Sequence, residues 1–378
     1  MFIVSNTIYV LTVLSLTVIL AIYTEKTQLG RRFGAALLVI LFCALLSNFK
    51  LIPSASNSIE LYSIIFNYVA PISIFYLLLS ANLNSIKKAG VPMVSLFLIG
   101  SFSTTLGILI SWIIISPESS LGEDAKVIAG MLTGTYTGGS INFNAVALEY
   151  GFQKKGMLYA GTIAVDNVVT ALWILVSLTL PMILSRFWKS KLRLIEIEHK
   201  ENVIIGKEMD LSSFALLIFL GLFAFYLTEL LALLFPKIPS ILILSSIGIG
   251  LAQTQFISKL KGAQNLGLYL VYLFLGVIGA YCEFNAVYEL KDVGVSILLF
   301  TCIAVLIHGI LIIFIGGFLY RDWQMIAIAS QANIGGGASA IALAETFKRK
   351  DLILPSILLG ALGNAIGSYL GFLVIYVL

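Results

Sequence analysis

The sequence has few charged residues, few cysteines and almost no histidine. Only 11% of its 378 residues are charged and 59% are hydrophobic, whereas an average soluble domain has roughly 25% charged residues. Cys43, Cys282 and Cys302 are isolated and have neither the pairing of a disulfide framework nor the spacing of metal ligands. The 23 Lys and Arg are scattered, which argues against nucleic acid as a partner. The composition predicts a protein whose solvent is the lipid bilayer.

Apolar runs recur along the whole chain. Each run has about 20 residues, enough to cross roughly 30 Å of hydrocarbon as a helix. Runs and polar breaks together predict about twelve transmembrane helices, within a range of eleven to thirteen. The predicted segments are 5–24, 33–49, 58–83, 90–116, 126–150, 156–187, 211–235, 238–256, 262–283, 293–320, 322–347 and 351–378. We therefore expect an all-α polytopic membrane protein.

A polar segment divides the chain into two halves. Residues 1–188 form the first predicted repeat, 189–210 a charged linker and 211–378 the second repeat. Each half has four ordinary segments, one glycine-rich segment and one closing segment. An offset of 197 residues carries Gly138-Gly139 onto Gly335-Gly336. This recurrence predicts an internal duplication of six helices.

The orientation of the chain does not follow from a plain twelve-span arrangement. Lys and Arg are nearly balanced between the two sides in that arrangement, so the positive-inside rule does not decide. An even number of spans between the glycine-rich segments would make the repeats parallel. Inverted repeats, which we expect, need one crossing more or fewer, so the span count is off by one.

Two glycine-rich segments are the strongest functional feature. Residues 131–151 read MLTGTYTGGSINFNAVALEYG, and the second copy reads ASQANIGGGASAIALAE. Glycine costs a helix about 1 kcal/mol relative to alanine, and broken backbone at membrane depth is tolerated only inside protein or beside a water-filled cavity. Two such breaks at matching places indicate a transporter binding site near the midplane. Close helix packing through small residues is the alternative.

The groups around both breaks are the predicted ligands. An interrupted helix offers free N–H groups at one half-helix start and free carbonyls at the other end, so anions and cations both find partners. The predicted substrate- or ion-binding residues are Thr135, Thr137, Gly138, Gly139, Ser140, Asn142, Asn144, Asp166, Asn167, Gln331, Asn333, Gly335, Gly336, Gly337, Ser339 and Asn364. Tyr136 offers a further donor. No metal or cofactor is expected.

Asp166 and Asn167 lie within the apolar segment that follows the first break. A carboxylate at this depth is costly and indicates a functional site by default. Its protonation depends on burial and on neighbouring cations, as a proton- or sodium-driven transporter requires. The second half has Gly363-Asn364 at the matching positions, so only the amide is shared. A structural carboxylate, held by a helix N-terminus or a lysine, is the alternative.

Glu229 and His308 are each isolated on an apolar stretch, where a satisfied structural residue is the better interpretation. The basic clusters Lys154-Lys155 and Lys348–Lys350 follow the two glycine-rich segments. They are interpreted as topology or headgroup charges.

The motifs GTYTGGSINFNAVA, AVDNVV, ASQANIGGGASAIALA and LLGALGNAIGSYLG resemble the bacterial membrane family called domain of unknown function family 819. APISIFYLLLSANL and LYLVYLFLGVIGA resemble its third and ninth segments, so the similarity covers nearly the whole chain. That family resembles the larger group of cation/proton antiporters and anion transporters. A multi-pass protein of the bacterial cytoplasmic (inner) membrane is therefore implied.

The resemblance also implies an architecture. It consists of two inverted repeats, two broken helices that cross near the midplane at 131–144 and 330–339, and a core domain that moves elevator-fashion against a panel domain. Gly139 and Gly336 should then approach each other. Asp166 and Asn167 match the position at which antiporter relatives bind ions, but the adjacent pair of aspartates found in some antiporters is absent.

The leading functional prediction is a secondary active transporter of a small polar solute, coupled to H⁺ or Na⁺ through Asp166. Positive helix ends favour an organic anion. A cation/proton antiporter without organic substrate is the alternative. An intramembrane enzyme would need a polar catalytic cluster at membrane depth, where only His308 is found, so no enzyme is expected. The predicted partners are the lipid bilayer and a small molecule or ion, and the sequence is compatible with a homodimer.

Overall fold

The computed structural model describes residues 5–28, 30–81, 83–191, 210–236, 238–282 and 291–378. Every regular element within these ranges is a helix, which confirms the all-α prediction for the described part of the chain. Residues 192–209, most of the predicted linker, lie outside the described residues.

The described part of the first half contains nine α-helices. They are α1 (Thr7–Glu25), α2 (Gly30–Asn48), α3 (Glu60–Ile64), α4 (Ala70–Leu78), α5 (Val91–Ile115), α6 (Glu118–Leu121), α7 (Asp124–Gly138), α8 (Ser140–Glu149) and α9 (Gly156–Phe187). A π-helical turn, Ile65–Val69, joins α3 to α4. Asn6 begins α1 by accepting the backbone N–H of Tyr9 at 3.1 Å, which satisfies one of the unpaired donors of the first turn.

The described part of the second half contains eight α-helices. They are α10 (Leu211–Leu234), α11 (Ser240–Ala252), α12 (Gln255–Ser258), α13 (Ala263–Ala280), α14 (Lys291–Leu319), α15 (Trp323–Ile334), α16 (Gly336–Thr346) and α17 (Ile353–Val377). Aspartate caps begin two of them. Asp210 accepts the backbone N–H of Ser213 at 2.6 Å, and Asp322 accepts that of Met325 at 3.1 Å.

Eight helical segments in the described residues are long and apolar enough to cross a membrane. They are Thr7–Glu25, Glu60–Leu78, Val91–Ile115, Gly156–Phe187, Leu211–Leu234, Ala263–Ala280, Val293–Leu319 and Lys350–Val377. Two shorter apolar helices are Gly34–Asn48 and Ser240–Ala252. Together with the two glycine-rich segments, they coincide with the twelve predicted segments. The chain is therefore a multi-pass helical membrane protein.

The first glycine-rich segment folds back on itself. A Cβ atom built on Gly134 would lie 3.1 Å from that of Asn142, whereas eight residues of continuous helix span about 12 Å. At the open end, Lys155 Nζ lies 2.6 Å from the carboxylate of Asp124. We call this pair of helices, α7 and α8, hairpin 1. Its tip is Gly139, with φ of 99°.

The second glycine-rich segment has the same form. Gln331 Nε2 donates to Ser339 Oγ at 3.1 Å across the break, and Arg349 binds Asp322 at 2.9 Å at the open end. We call α15 and α16 hairpin 2. Its tip residue Gly336 has φ of 76° and follows Gly139 by the offset of 197 residues found in the sequence.

The prediction of two crossing broken helices is wrong in one respect, because each segment returns to the face of the molecule from which it starts. Only glycine adopts these positive φ values readily, and they allow the backbone to reverse. Gly134 lets the two arms of hairpin 1 approach closely, and ion pairs close both open ends. Neither segment is a span, so the count of twelve includes two segments that do not cross.

The fourth long helix of each half runs in the opposite direction to its counterpart. His308 Nδ1 of α14 lies 3.0 Å from Thr104 Oγ1 of α5. Farther along α5, Ser111 Oγ donates to the carbonyl of Phe300, which comes earlier in α14, at 2.7 Å. The chain numbers therefore rise in one helix as they fall in the other.

The third helices of the two halves are also antiparallel. Phe66, in the turn before α4, packs edge-to-face on Phe274 of α13 with ring centroids 5.8 Å apart. A Cβ on Gly267, earlier in α13, would lie 3.1 Å from the carbonyl of Ser73, later in α4.

The helix ends lie at two faces of the molecule. Face A carries the C-terminal ends of α1, α4, α9, α11 and α14. At this face Lys191 N donates to the carbonyl of Arg321 at 2.8 Å. Face B carries the ends of α2, α5, α10, α13 and α17, and there Ser120 Oγ donates to Ser296 Oγ at 2.8 Å. Hairpin 1 opens at face B and hairpin 2 at face A.

The elements pack in two groups. Helices α1, α2, α3–α4, α10, α11 and α13 pack mainly on one another, and we call them the scaffold group. Helices α5, α9, α14 and α17 form a second group together with the two hairpins, and we call this the hairpin group. Each half of the chain contributes three elements to each group.

Candidate functional site

The tips of both hairpins pack on neighbouring turns of α17. A Cβ added to Gly363 would lie 2.5 Å from the carbonyl oxygen of Thr137 and 2.7 Å from Gly138 Cα in hairpin 1. A Cβ on Gly337 in hairpin 2 would lie 3.2 Å from Gly360 Cα. Ten residues of helix, about 15 Å, separate Gly363 from the start of α17. Both tips therefore contact the same helix within about one turn of each other, about 15 Å from its start.

Two predicted amide ligands hold hairpin 1 in place. Asn142 Nδ2 donates to the carbonyl of Gly363 at 3.2 Å, and Asn142 Oδ1 accepts from the backbone N–H and the hydroxyl of Ser368 at 2.9 and 2.7 Å. Asn144 Oδ1 accepts from the hydroxyl of Tyr159 in α9. Both asparagines are buried, so their hydrogen-bonding capacity serves packing in this arrangement.

Hairpin 2 is held in a similar way. The Asn333 amide contacts Ser101 Oγ of α5 at 2.9 Å. In the orientation that satisfies both polar atoms of the amide, its oxygen accepts from that hydroxyl and its nitrogen donates to the Phe97 carbonyl, also in α5, at 3.2 Å. Ser339 Oγ accepts from Gln331 and donates to the carbonyl of Gly336 at 2.9 Å.

Several predicted ligands are in contrast open to a ligand. Gln331 is completely buried, yet its Oε1 atom has no hydrogen-bond partner. Asn167 and Asn364 are partly buried, and neither side chain bonds to another described residue. Thr137 Oγ1 binds the carbonyl of Thr133 in its own helix at 2.8 Å. The remaining predicted side chains are Thr135, which is buried, and Ser140, which is exposed at the tip.

Asp166 lies ten residues into α9, about 15 Å from the start of that helix. Thr170 Oγ1 donates to its Oδ1 atom at 3.3 Å. The phenol of Tyr136 from hairpin 1 lies beside the carboxylate, although the buried Tyr136 hydroxyl closes no hydrogen bond of ordinary geometry. The structure thus brings the acid to hairpin 1 and leaves a buried donor next to it.

Comparison with known proteins gives the family. Residues 10–378 match the family model described as protein of unknown function (DUF819). The chain belongs to this family. A curated relative, the uncharacterized membrane protein YjcL of Bacillus subtilis (strain 168), is 26% identical over 387 aligned positions, which cover 92% of this chain and 90% of that protein. The membership inferred from the glycine motifs is confirmed, as is the assignment to a membrane.

His308 of this DUF819 protein is fully buried in a satisfied network. Its Nδ1 atom lies 3.0 Å from the carbonyl of Gly100, which only accepts, so Nδ1 carries the proton. Nε2 lies 2.9 Å from Ser330 Oγ, which itself accepts from Trp173 Nε1 at 3.0 Å. The serine proton is then free to point at Nε2. A neutral imidazole completes this network, which agrees with the structural interpretation of His308.

Two site features of this DUF819 protein are only weakly marked in the sequence. Tyr136 stands in the glycine motif between Thr135 and Thr137, and its residue type alone does not show that it faces Asp166. The charges at the open ends of the hairpins are visible in the sequence as Asp124 and Lys155. Because these two residues are 31 positions apart, the sequence does not show that they form an ion pair unless the hairpin is already known.

Proposed function

We propose that this protein is a secondary active transporter of a small polar solute, coupled to H⁺ or Na⁺ through Asp166. The observation that carries this proposal is the meeting of two glycine-tipped hairpins, entering from opposite faces, on one stretch of α17. Their tips present the N-terminal ends of α8 and α16, where free N–H groups suit an anionic group of the solute. Asp166 lies beside Tyr136 of hairpin 1, and we assign this pair as the ion-coupling element.

We also propose that the two halves are inverted repeats of five crossings and one hairpin each. An odd number of crossings turns the second half over relative to the first, and the antiparallel pairs α5–α14 and α4–α13 support this arrangement. The hairpin group would then move elevator-fashion against the scaffold group, carrying the solute site with it.

The same topology suggests an orientation. Among the described residues, fourteen Lys and Arg lie at face A: Lys26, Arg31, Arg32, Lys87, Lys88, Arg186, Lys189, Lys191, Lys259, Lys261, Arg321, Lys348, Arg349 and Lys350. Five lie at face B: Lys50, Lys126, Lys154, Lys155 and Lys291. The positive-inside rule then makes face A cytoplasmic, in the bacterial inner membrane that we propose as the location.

Cysteine labelling tests the topology. The hairpin arrangement puts Lys154 and Lys350 on opposite faces, whereas twelve plain crossings put them on the same face. With the three native cysteines replaced by serine, Lys154→Cys should react with a membrane-impermeant maleimide in intact cells. Lys350→Cys should react only after permeabilisation. Equal labelling of both positions in intact cells would contradict the proposed topology.

Reconstitution into liposomes with an imposed proton or sodium gradient tests the function. Solute uptake and internal pH are followed for the wild type, Asp166→Asn and the matched control Asp210→Asn, which changes an exposed aspartate but keeps an N-cap residue. We expect Asp166→Asn to lose gradient-driven transport and the control to retain it. Unchanged coupling in Asp166→Asn would rule out the assigned role.

A cation/proton antiporter without organic substrate is the second candidate. A lone carboxylate at mid-depth can alternate between a proton and a cation, and Asp166 has no second acid beside it in the sequence. This candidate predicts a pH response to added cation with no solute uptake in the same liposomes. Either candidate is a transporter, and we propose no enzymatic role.

A further inference from the structure

A cavity of 260 Å³ lies between the open end of hairpin 1 and the scaffold group, at face B. Its walls come from the turn before α4 and the start of α4, from the end of α8 and the segment that follows it, from α10 and from α11. The volume is close to the lower limit of small-molecule sites, which begin at about 300 Å³. It lies at the opposite end of α8 from the hairpin tip and is therefore separate from the site described above.

The cavity wall offers acceptors of hydrogen bonds and negative charge. Glu149 and Glu229 both line it, and no Lys, Arg or His is among its described lining residues. Glu149 already accepts the backbone N–H groups of Ser240 and Ile241 at 3.3 and 3.2 Å, at the start of α11. This places its charge against the positive end of that helix.

Glu229 has no such compensation. It lies five residues before the end of α10, in the apolar sequence FYLTELLALLF, and it forms no ion pair or hydrogen bond with the described residues. Its side chain is exposed and lines the cavity, so the carboxylate is available to a ligand there. The interpretation of Glu229 as a satisfied structural residue stays a prediction.

Gln153 gives an independent indication of a ligand. It lies in the short 3-10 helix Phe152–Lys154, lines the cavity and is only 4% exposed. Its Oε1 atom is buried without a hydrogen-bond partner. Such an acceptor costs about 1 to 3 kcal/mol unless a donor reaches it, and a ligand in the cavity would supply that donor.

We infer that this cavity binds a small organic ammonium ion, with its positive head between Glu229 and the Gln153 amide oxygen. Phe66 and Phe225 also line the cavity, and aromatic rings attract an alkylammonium group as well as packing against its methyl groups. An inorganic cation would use the carboxylates but gain nothing from the phenylalanines. An anion would meet two carboxylates and no positive side chain among the described lining residues.

Binding of choline to the purified protein in lipid nanodiscs tests this inference, with calorimetry as the readout. The neutral isostere 3,3-dimethylbutan-1-ol serves as the probe without charge. We expect choline to bind and the isostere to bind at least tenfold more weakly. Glu229→Gln should weaken choline binding at least tenfold. The matched control Glu118→Gln, which changes an exposed glutamate at the same face, should change it less than twofold.

Three outcomes would overturn the inference. Equal binding of the isostere would remove the role of charge, and unchanged binding to Glu229→Gln would remove the role of that residue. Displacement of choline by equimolar NaCl would mean that the cavity takes an inorganic cation. The unfolding temperature of each variant shows that it is folded. Because Asp166 is remote from the cavity, Asp166→Asn should still bind choline, so this test and the transport test fail independently.

Discussion

The contact between hairpin 1 and α17 is close enough for one methyl group to disrupt it. In Gly363→Ala the new Cβ would lie 2.5 Å from the carbonyl oxygen of Thr137 and 2.7 Å from Gly138 Cα. Non-bonded atoms prefer separations of about 3.5 to 4.0 Å, so the two helices must separate by about 1 Å. That movement also lengthens the hydrogen bond from Asn142 Nδ2 to the Gly363 carbonyl, now 3.2 Å, beyond its useful range.

The magnitude follows from three contributions. Overpacking costs about 1 to 3 kcal/mol, and the lost hydrogen bond costs about 1 kcal/mol. Replacing glycine by alanine within a helix returns up to about 1 kcal/mol. We therefore expect Gly363→Ala to lower the free energy of unfolding by about 1 to 3 kcal/mol.

Gly161→Ala is the matched control. Gly161 also lies within a long helix, α9, but no atom lies within 4 Å of a Cβ built there. The control should keep the helix gain of up to about 1 kcal/mol without the clash. Both variants are compared with the wild type by equilibrium unfolding in the same lipid mimetic. If Gly363→Ala is as stable as Gly161→Ala, hairpin 1 does not pack on α17 as described.

Three further predictions concern the hairpin group and the start of α10. Arg349→Met should destabilise the protein by about 3 to 5 kcal/mol, because it leaves the buried Asp322 carboxylate without its arginine. Lys155→Met removes an exposed ion pair and should cost less than about 1 kcal/mol. Thermal unfolding measures both changes. His308→Phe should also lower the unfolding temperature, but the pH profile of transport should keep its midpoint because the neutral imidazole network carries no coupling proton. The Ser213 amide, which donates to Asp210, lowers the pKa of that carboxyl. The cap therefore stabilises α10 fully above the unfolded-state pKa, and this contribution is lost as pH falls through the lowered value. The slope of stability against pH should therefore differ between the wild type and Asp210→Asn in that window alone.

The sequence was sufficient to find the helices and the paired breaks, because apolar length and glycine content are local properties. It was not sufficient to tell a kink from a reversal. A glycine with positive φ permits either, and the outcome depends on whether the helices on its two sides pack against each other. Gly134 and the ion pair between Asp124 and Lys155 make that contact in hairpin 1, and these residues are distant in the sequence.

This one distinction also explains why the basic residues did not orient the chain. If the first glycine-rich segment is counted as a crossing, every loop between it and the second glycine-rich segment is assigned to the wrong side of the membrane. Counting the second segment as a crossing reverses the assignment again. Lys154 and Lys155 are then placed with Lys348–Lys350. Removing both crossings separates these two clusters and turns a nearly balanced count into fourteen against five among the described residues.

The same reasoning applies to the predicted ligands. Asn142, Asn144 and Asn333 were predicted from residue type, and all three hold the hairpins against their neighbours. Amides suit both roles equally, because each provides donors and acceptors. What separates a packing amide from a binding one is whether its partners are already present, as they are for Asn142 and are not for the Oε1 atom of Gln331.

The open ends of the hairpins differ in a way that bears on the proposed exchange between faces. The Arg349–Asp322 pair at face A has side chains 6% and 0% exposed, whereas the Lys155–Asp124 pair at face B has 55% and 21%. An elevator movement that opened face A would hydrate the first pair and bury the second. Burying an ion pair costs several kcal/mol per ion. The two states therefore have similar free energies only if other contacts compensate. A solute that binds both states with equal affinity does not shift the equilibrium between them. The proposed coupling therefore requires groups whose partners change between states. We expect the Tyr136 hydroxyl, which lies beside Asp166 without a hydrogen-bond partner in this state, to be one of them.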